Sequence, residues 1–406
     1  MTNEVTQKTT SNEQNVSSSN GLEPRLRFNE FIENWERYEA EEIFQNITDK
    51  NHPDDIVLTI QQGKGTLPRE LSGRNILYDN TNTKNYKRVK FGDFIIHLRS
   101  FEGGLEIANE QGIVSPAYTI LRHKKNIAFG FYKAYFRTNE FINHVLSKSV
   151  EGIRDGKQIS YDAFKWLSIP YCKLEEQQKI ADFLSLVDQR IEKQRQLVES
   201  LKKYKRGVIF KLFSKNNPNN QSFSLRELLH EKNDRNSLGL RVCSVAVNKG
   251  IIDQIEHLGR CFAASDTSKY RRVSYGDVVY TKSPTGDFPY GIVKQSKIHS
   301  DVCVSPLYGV YKTLNYEVGN LIHAYFELHQ LANNYIRPLA QKGAKNTINI
   351  TTSHFLDDII YFPSNDKNRK NISNFLDKLT RCISIHEEKL RQNEKLKKGL
   401  LQKMFI

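Results

Sequence analysis

The sequence predicts an α+β protein: two mixed α/β domains in tandem, each followed by a long helix, with the two helices pairing as an antiparallel coiled coil about a pseudo-two-fold. Three observations predict it. The segment EEQQKIADFLSLVDQRIEKQRQLVESLKKYKRGVIFKLF, ending at Phe213, aligns without a gap on KNRKNISNFLDKLTRCISIHEEKLRQNEKLKKGLLQKMF, ending at Phe405, at an offset of 192 residues. A repeat of that length dictates a duplicated architecture. Within both copies the apolar residues recur in alternating steps of three and four, which places them on one helical stripe. Ahead of each copy, strand-like and helix-like segments follow one another in the same order.

Residues 1–20 are rich in Ser, Thr, Asn and Gln, a composition that buries too little apolar surface to offset ordering, and a disordered tail is expected. They hold neither an apolar signal core nor a twin-arginine pair, which points to a cytoplasmic protein. The first mixed domain spans 21–173 and the second 216–365. RVKFGDFIIHL (88–98) and RVSYGDVVYTK (272–282) each read as a short strand, a Gly-Asp turn and a buried strand. GIVSPAYTIL (112–121) and CVSPLYGVYK (303–312) read as strands around a Ser-Pro kink. Apolar-periodic helical stretches follow in both, and then a loop bearing glycine and lysine, SVEGIRDGKQIS in the first and LAQKGAKNTINI in the second.

The central helix covers 174–215 and the C-terminal helix 366–406. The seam of the first is Leu184, Val187, Ile191, Val198 and Leu201, with polar positions at Gln194 and Lys205. The seam of the second is Leu376, Leu379, Ile383, Leu390 and Leu400, with polar His386, Asn393 and Lys397. Polar seam positions weaken a coiled coil but fix register and partner. Basic side chains crowd the end of the central helix, where they favour the negative helix terminus or serve phosphate binding. SKNNPNNQS (214–222) separates the halves, because Asn, Pro and Ser neither pack nor propagate a helix.

In 406 residues, 60 Lys+Arg stand against 46 Asp+Glu, a net charge of +14. That excess favours a polyanionic partner, nucleic acid ahead of an anionic membrane surface. No apolar run approaches the ~18 residues that span a bilayer. The five cysteines are scattered and form no CxxC pair, so neither a zinc knuckle nor a disulfide framework is indicated. Catalytic signatures are missing: there is no GxxxxGK[ST] loop, and Gly63-Lys64-Gly65 reads as a turn. No Asn/Asp-Pro-Pro-aromatic motif is present. Pro53-Asp54-Asp55 lacks a nearby acidic-x-Lys partner, and the histidines show no metal-ligand spacing. A non-catalytic binding protein is expected.

The candidate DNA-binding residues lie on loops and strand ends in matching places. In the first domain they are Lys84, Lys87 and Arg88, then Arg122, Lys124 and Lys125, then Arg154 and Lys157. In the second they are Lys269, Arg271 and Arg272, then Lys282 and Lys294, then Lys342, Lys345 and Asn346. Lysine and arginine supply phosphate contacts and guanine readout, and asparagine reads adenine.

Taken together, the opening PRLRFNEFIENWERYEAEEIF, the KFGDFII and SYGDVVY strands, the VSPAY and VSPLY segments and EEQQKIADFL leading into the helix make residues 21–406 resemble the specificity (S) subunit of a type I restriction–modification enzyme. The resemblance implies two target-recognition domains, each reading one half of a split, asymmetric sequence in double-stranded DNA. It implies helices that set the spacer and dock two methyltransferase (M) subunits, with a restriction/translocase (R) subunit joining to cut. S-adenosylmethionine, ATP and Mg would sit on those partners, with no cofactor on this chain and no membrane involved. A specificity module of another DNA-modification system is the alternative. Two departures concern the helix starts: Cys172 stands where a proline is expected, and Asn368-Arg369 replaces the Glu-Gln pair.

Overall fold

The structure is a computed structural model that describes residues 23–73, 80–152, 157–263, 265–342 and 348–405; the expected tail at 1–20 lies outside them. Contacts divide the chain into two compact units, with breaks after Lys193 and after Lys389, inside both long helices. Each unit therefore owns the first half of one long helix and the last half of the other.

In the first unit the strands are β1 (Glu36–Glu39), β2 (Phe44–Ile47), β3 (Leu58–Gln61), β4 (Gly65–Pro68), β5 (Lys87–Val89), β6 (Phe94–Ile96), β7 (Glu106–Ile107), β8 (Gly112–Val114), β9 (Thr119–His123), β10 (Val150–Glu151), β11 (Gln158–Ile159) and β12 (Ser168–Tyr171). An antiparallel sheet runs in the order β2-β9-β6-β7, with the pairs β1–β12, β3–β4, β5–β8 and β10–β11 around it. Strand β6 reads as an unbroken apolar run because both of its faces are covered. Phe94 and Ile96 face a core with Trp35, Phe44, Phe131 and Phe136. Ile95 faces a smaller cluster with Val89, Val114 and Ile120.

The second unit repeats this topology with different residues. Its strands are β13 (Asn220–Ser224), β14 (Leu229–Glu231), β15 (Cys243–Ala246), β16 (Gly250–Asp253), β17 (Arg271–Val273), β18 (Val278–Tyr280), β19 (Val293–Gln295), β20 (Val302–Val304), β21 (Gly309–Thr313), β22 (Gln341–Lys342), β23 (Ile348–Asn349) and β24 (Ile359–Pro363). The sheet order is β14-β21-β18-β19, and the pairs β13–β24, β15–β16, β17–β20 and β22–β23 match those of the first unit one for one. Val278 and Tyr280 face the larger core, and Val279 faces the smaller.

The Gly-Asp turn shows how two sequences make one frame. Asp93 is buried and accepts the Lys90 amide at 2.8 Å and a two-pronged contact from Arg122 at 2.9 and 2.6 Å. Asp277 is buried likewise and accepts the Ser274 amide at 2.8 Å and the Lys232 ammonium at 2.7 Å. A buried carboxylate needs charged hydrogen-bond donors, and each unit recruits its cation from a different place, Arg122 on β9 and Lys232 just after β14.

The central helix runs Leu174–Leu212 and the C-terminal helix Asp366–Met404. Within each unit their halves pair antiparallel. Asp188 meets Lys397 in the first unit, and Lys202 meets Glu387 at 2.8 Å in the second. Leu184, Ile191, Val198, Leu376, Leu379 and Ile383 are buried, while Val187, Leu201, Leu390 and Leu400 are half-buried. Each core is closed by the start of one helix and the end of the other. Ile180, Leu184, Met404 and Phe405 enter the first core, and Leu376, Ile209 and Phe213 enter the second.

The polar seam positions have definite partners. Gln194 donates to the His386 carbonyl at 2.9 Å and meets its Nδ1 at the same distance, so two positions equated by the repeat touch each other. Lys205 turns to Glu327 at 2.7 and 2.9 Å, on the helix Tyr316–Glu327. The two departures at the helix starts are also accounted for. In the first unit Glu176 takes Arg27 at 2.7 and 2.8 Å, and Gln177 bridges the Ala128 amide at 3.0 Å and the Cys172 carbonyl at 2.8 Å. In the second, Arg369 donates to the Pro363 carbonyl at 2.8 Å and lies over Phe223 and Phe362.

Candidate nucleic-acid interface

The strongest local correspondence between the units is a basic edge strand beside a hairpin. Lys87 and Arg88 on β5 face Val114 and Ile113 of β8. Arg271 and Arg272 on β17 face Val304 and Cys303 of β20. On its other side β8 is bridged to the foot of the β3–β4 hairpin (Val57 with Ile113), and β20 to the foot of β15–β16 (Val242 with Cys303), both parallel. Each unit thus lines up a pair of basic residues, a fully buried strand and a two-stranded ribbon.

Most of the basic residues expected to touch nucleic acid are first engaged within their own unit. Lys87 is half-buried, donates to the Tyr118 carbonyl at 2.6 Å, and has its ammonium pKa lowered by burial and by Lys50. Arg88 pairs with Asp55 at 2.8 Å. Arg122 belongs to the Asp93 turn, whose hydrogen bond raises its pKa further. Lys124 is exposed and donates to the Glu41 carbonyl at 2.5 Å; Lys125 sits 4.0 Å above the Tyr38 ring. In the second unit Arg271 reaches Asn233 at 2.6 Å and Arg272 pairs with Asp301 at 2.8 Å. Such surface pairs are weak and exchange readily for a phosphate.

Lys84, Lys157 and Lys269 are exposed, Lys157 with its ammonium 5.6 Å from the Phe101 ring. Lys282 is half-buried, has its pKa lowered by burial, and adopts a left-handed φ of 55°, strained for a residue with a side chain. Lys342 lies on β22. Arg154, Lys345 and Asn346 fall outside the described residues.

Lys294 is placed differently from the expectation. Its side chain is 4 % exposed, with the ammonium 3.4 Å from His323, and burial lowers its pKa. A side chain on β19 that points into the domain cannot reach a phosphate, so Lys294 is a structural lysine. Its alternation along the strand, Val293-Lys294-Gln295 all buried, gave no hint of this because the strand is covered on both faces.

The hairpins are hard to see in the sequence. LTIQQGKGTLP and CSVAVNKGIID share only Lys-Gly at the tip and an alternating flank. That signal existed, but it stands at an offset of 185 residues where the helices repeat at 192, so it does not appear on the same alignment. Among the described residues, no group of His, Cys, Asp and Glu could hold a metal ion, and no helix is long and apolar enough to cross a membrane.

Residues 32–203 match the family described as the type I restriction modification DNA specificity domain. The S subunit of the type I restriction-modification system from M. genitalium is similar in fold, at 13 % identity and a TM-score of 0.58, covering 95 % of this chain and 99 % of that one. The HsdS subunit from Thermoanaerobacter tengcongensis aligns at 16 % identity over 91 % of this chain and 96 % of its own, with a TM-score of 0.45. No curated protein matches.

Proposed function

We propose, from the match of residues 32–203 to the type I restriction modification DNA specificity domain, that the chain is the DNA sequence-recognition subunit of a type I restriction–modification complex. The observation that supports this best is the duplication of one topology with two different sets of surface residues. A duplicated frame offers two recognition surfaces, and surfaces that differ select different sequences, hence an asymmetric, two-part target.

The long helices supply the remaining functions. A 39-residue helix is about 58 Å long, which limits the unread spacer to fewer than about 17 base pairs at 3.4 Å each. Their outward faces are the docking sites for two methyltransferase subunits, which bring the S-adenosylmethionine and the catalytic residues; the restriction/translocase subunit brings ATP and Mg. This chain binds and positions, and performs no chemistry itself.

Recognition in this reading divides between two kinds of contact. Exposed lysines such as Lys84 and Lys269 neutralise phosphates and set the register on the duplex. Groups held rigidly at strand ends and hairpin tips read base edges. The test is to express the chain with its methyltransferase neighbour and map methylated bases genome-wide. Adenine methylation within one gapped motif supports the reading, and its absence overturns it.

A further inference from the structure

We propose that the tips of the β3–β4 and β15–β16 hairpins read bases in the major groove, with Lys64 and Lys249 each selecting a guanine edge and Glu106 positioning the first tip; this rests on the DNA-recognition reading above. The two ribbons share their strand pairing, their tip sequence and the turn that follows. Four residues pair with four in each, Leu58–Gln61 with Gly65–Pro68 and Cys243–Ala246 with Gly250–Asp253. Each tip ends Lys-Gly, with the glycine at positive φ, 87° at Gly65 and 69° at Gly250. Each ribbon leads into a short helical turn closed by a left-handed glycine, Gly73 or Gly259. Lys64 and Lys249 are exposed, and among the described residues neither side chain has a partner.

The first tip is held far more firmly than a surface turn requires. Glu106 is fully buried, and its carboxylate accepts the amides of Gly63 at 2.6 Å and Gly65 at 2.9 Å. Arg137 joins it at 2.5 Å and also donates to the Gly63 carbonyl at 2.8 Å. Asn109 donates to the carbonyls of Lys64 and Thr66 at 2.7 and 2.8 Å. A side chain at Gly65 would strike the Ile107 carbonyl at 2.5 Å, and one at Gly103 would strike the Gln62 amide. A short hairpin loop forms without such help, and burying an ionised pair costs free energy that a solvated lysine does not demand. What the clamp delivers is a fixed position for Lys64. The major groove admits a two-stranded ribbon, and a lysine there reaches guanine O6 and N7.

Among the described residues no buried carboxylate accepts from the second tip: a Cβ at Gly250 would meet nothing within 4 Å, and the ribbon is braced instead by Asp253 capping the turn that follows, at 2.8 and 3.1 Å. The asymmetry makes the two tips separable in one experiment.

The full chain, assembled with its methyltransferase neighbour, is offered a pool of random-sequence DNA duplexes, and the enriched sequences are read for wild type, Lys64→Ala, Lys249→Ala and Glu106→Gln. Wild type is expected to enrich one gapped motif. Lys64→Ala should relax a G·C preference in one half-site and Lys249→Ala in the other, each weakening the wild-type duplex about ten- to hundredfold. Glu106→Gln should relax the same position as Lys64→Ala and leave the other half-site intact, a pattern that general loss of stability would not give. If both lysine variants keep the wild-type preference, the hairpins are ordinary turns and the inference fails while the function stands. If they weaken all duplexes equally and the salt slope falls by about one, the lysines touch phosphate and base reading is overturned. If wild type enriches nothing, the function itself fails, and the inference with it.

Discussion

At the residue scale, a lysine's sequence context says little about its use. Lys84 and Lys294 were equivalent candidates, yet one is exposed and the other sealed on β19. What separates them is strand coverage, a tertiary property that alternation cannot report when both faces are buried. Burial with a single long contact to His323 holds the Lys294 ammonium below its usual pKa. A lowered folded-state pKa means that protonation opposes folding. The penalty is present at neutral pH and is relieved as pH rises through the folded pKa. Lys294→Met is therefore expected to raise the thermal midpoint near pH 7, by an amount that shrinks at higher pH, and to leave DNA affinity within about twofold. Thermal melts across pH check the first part, and a large loss of affinity would restore Lys294 to the interface. Arg122 carries the opposite lesson: the Gly-Asp turn was legible, while its consumption of Arg122 as counter-ion was not.

At the scale of elements, the long helices were the most legible part, because a narrow apolar stripe at alternating spacing has few other solutions. Both helices start where the pattern placed them, at Leu174 and Asp366, and end at Leu212 and Met404, short of the expected 215 and 406. The strands at Phe94–Ile96 and Val278–Tyr280 were also visible, as apolar runs behind Gly-Asp turns. The β3–β4 and β15–β16 ribbons were not, since their flanks share type but not identity. Two predictions belong here. Trp35 is buried against Phe131 and Phe405, with ring centroids 5.5 and 6.3 Å away, so it ties the opening segment to the end of the C-terminal helix. Trp35→Ala should cost about 3–5 kcal/mol, read by denaturant unfolding; a cost below ~1 kcal/mol would mean that the site collapses around the loss. The Gln194–His386 contact fixes register at the expense of apolar packing. Replacing both with leucine should raise the melting temperature, whereas a fall would show the pair to be a net stabiliser.

At the scale of the whole molecule, the sequence disclosed the duplication through the helices, and the structure extends it to every strand pair of the two units. The repeat offset differs between helices and hairpins because the loops between them have different lengths, which is why alignment on the helices hid the hairpins. If the helices set the spacer, one heptad inserted after Ile191 and one after Ile383 keeps the seam in phase and adds about 10 Å to each helix. The unread spacer should then grow by about three base pairs with both half-sites unchanged, as read by methylation mapping. Altered half-sites would contradict the ruler.

If two units of one topology read two different half-sites, genome-wide mapping of methylated adenines in a host that carries this chain and its methyltransferase neighbour reads both at once. The expected result is one asymmetric motif in two specified parts, separated by an unspecified spacer of fewer than about 17 base pairs. An ungapped motif, a palindrome, or methylation unchanged from a host lacking the chain would contradict it.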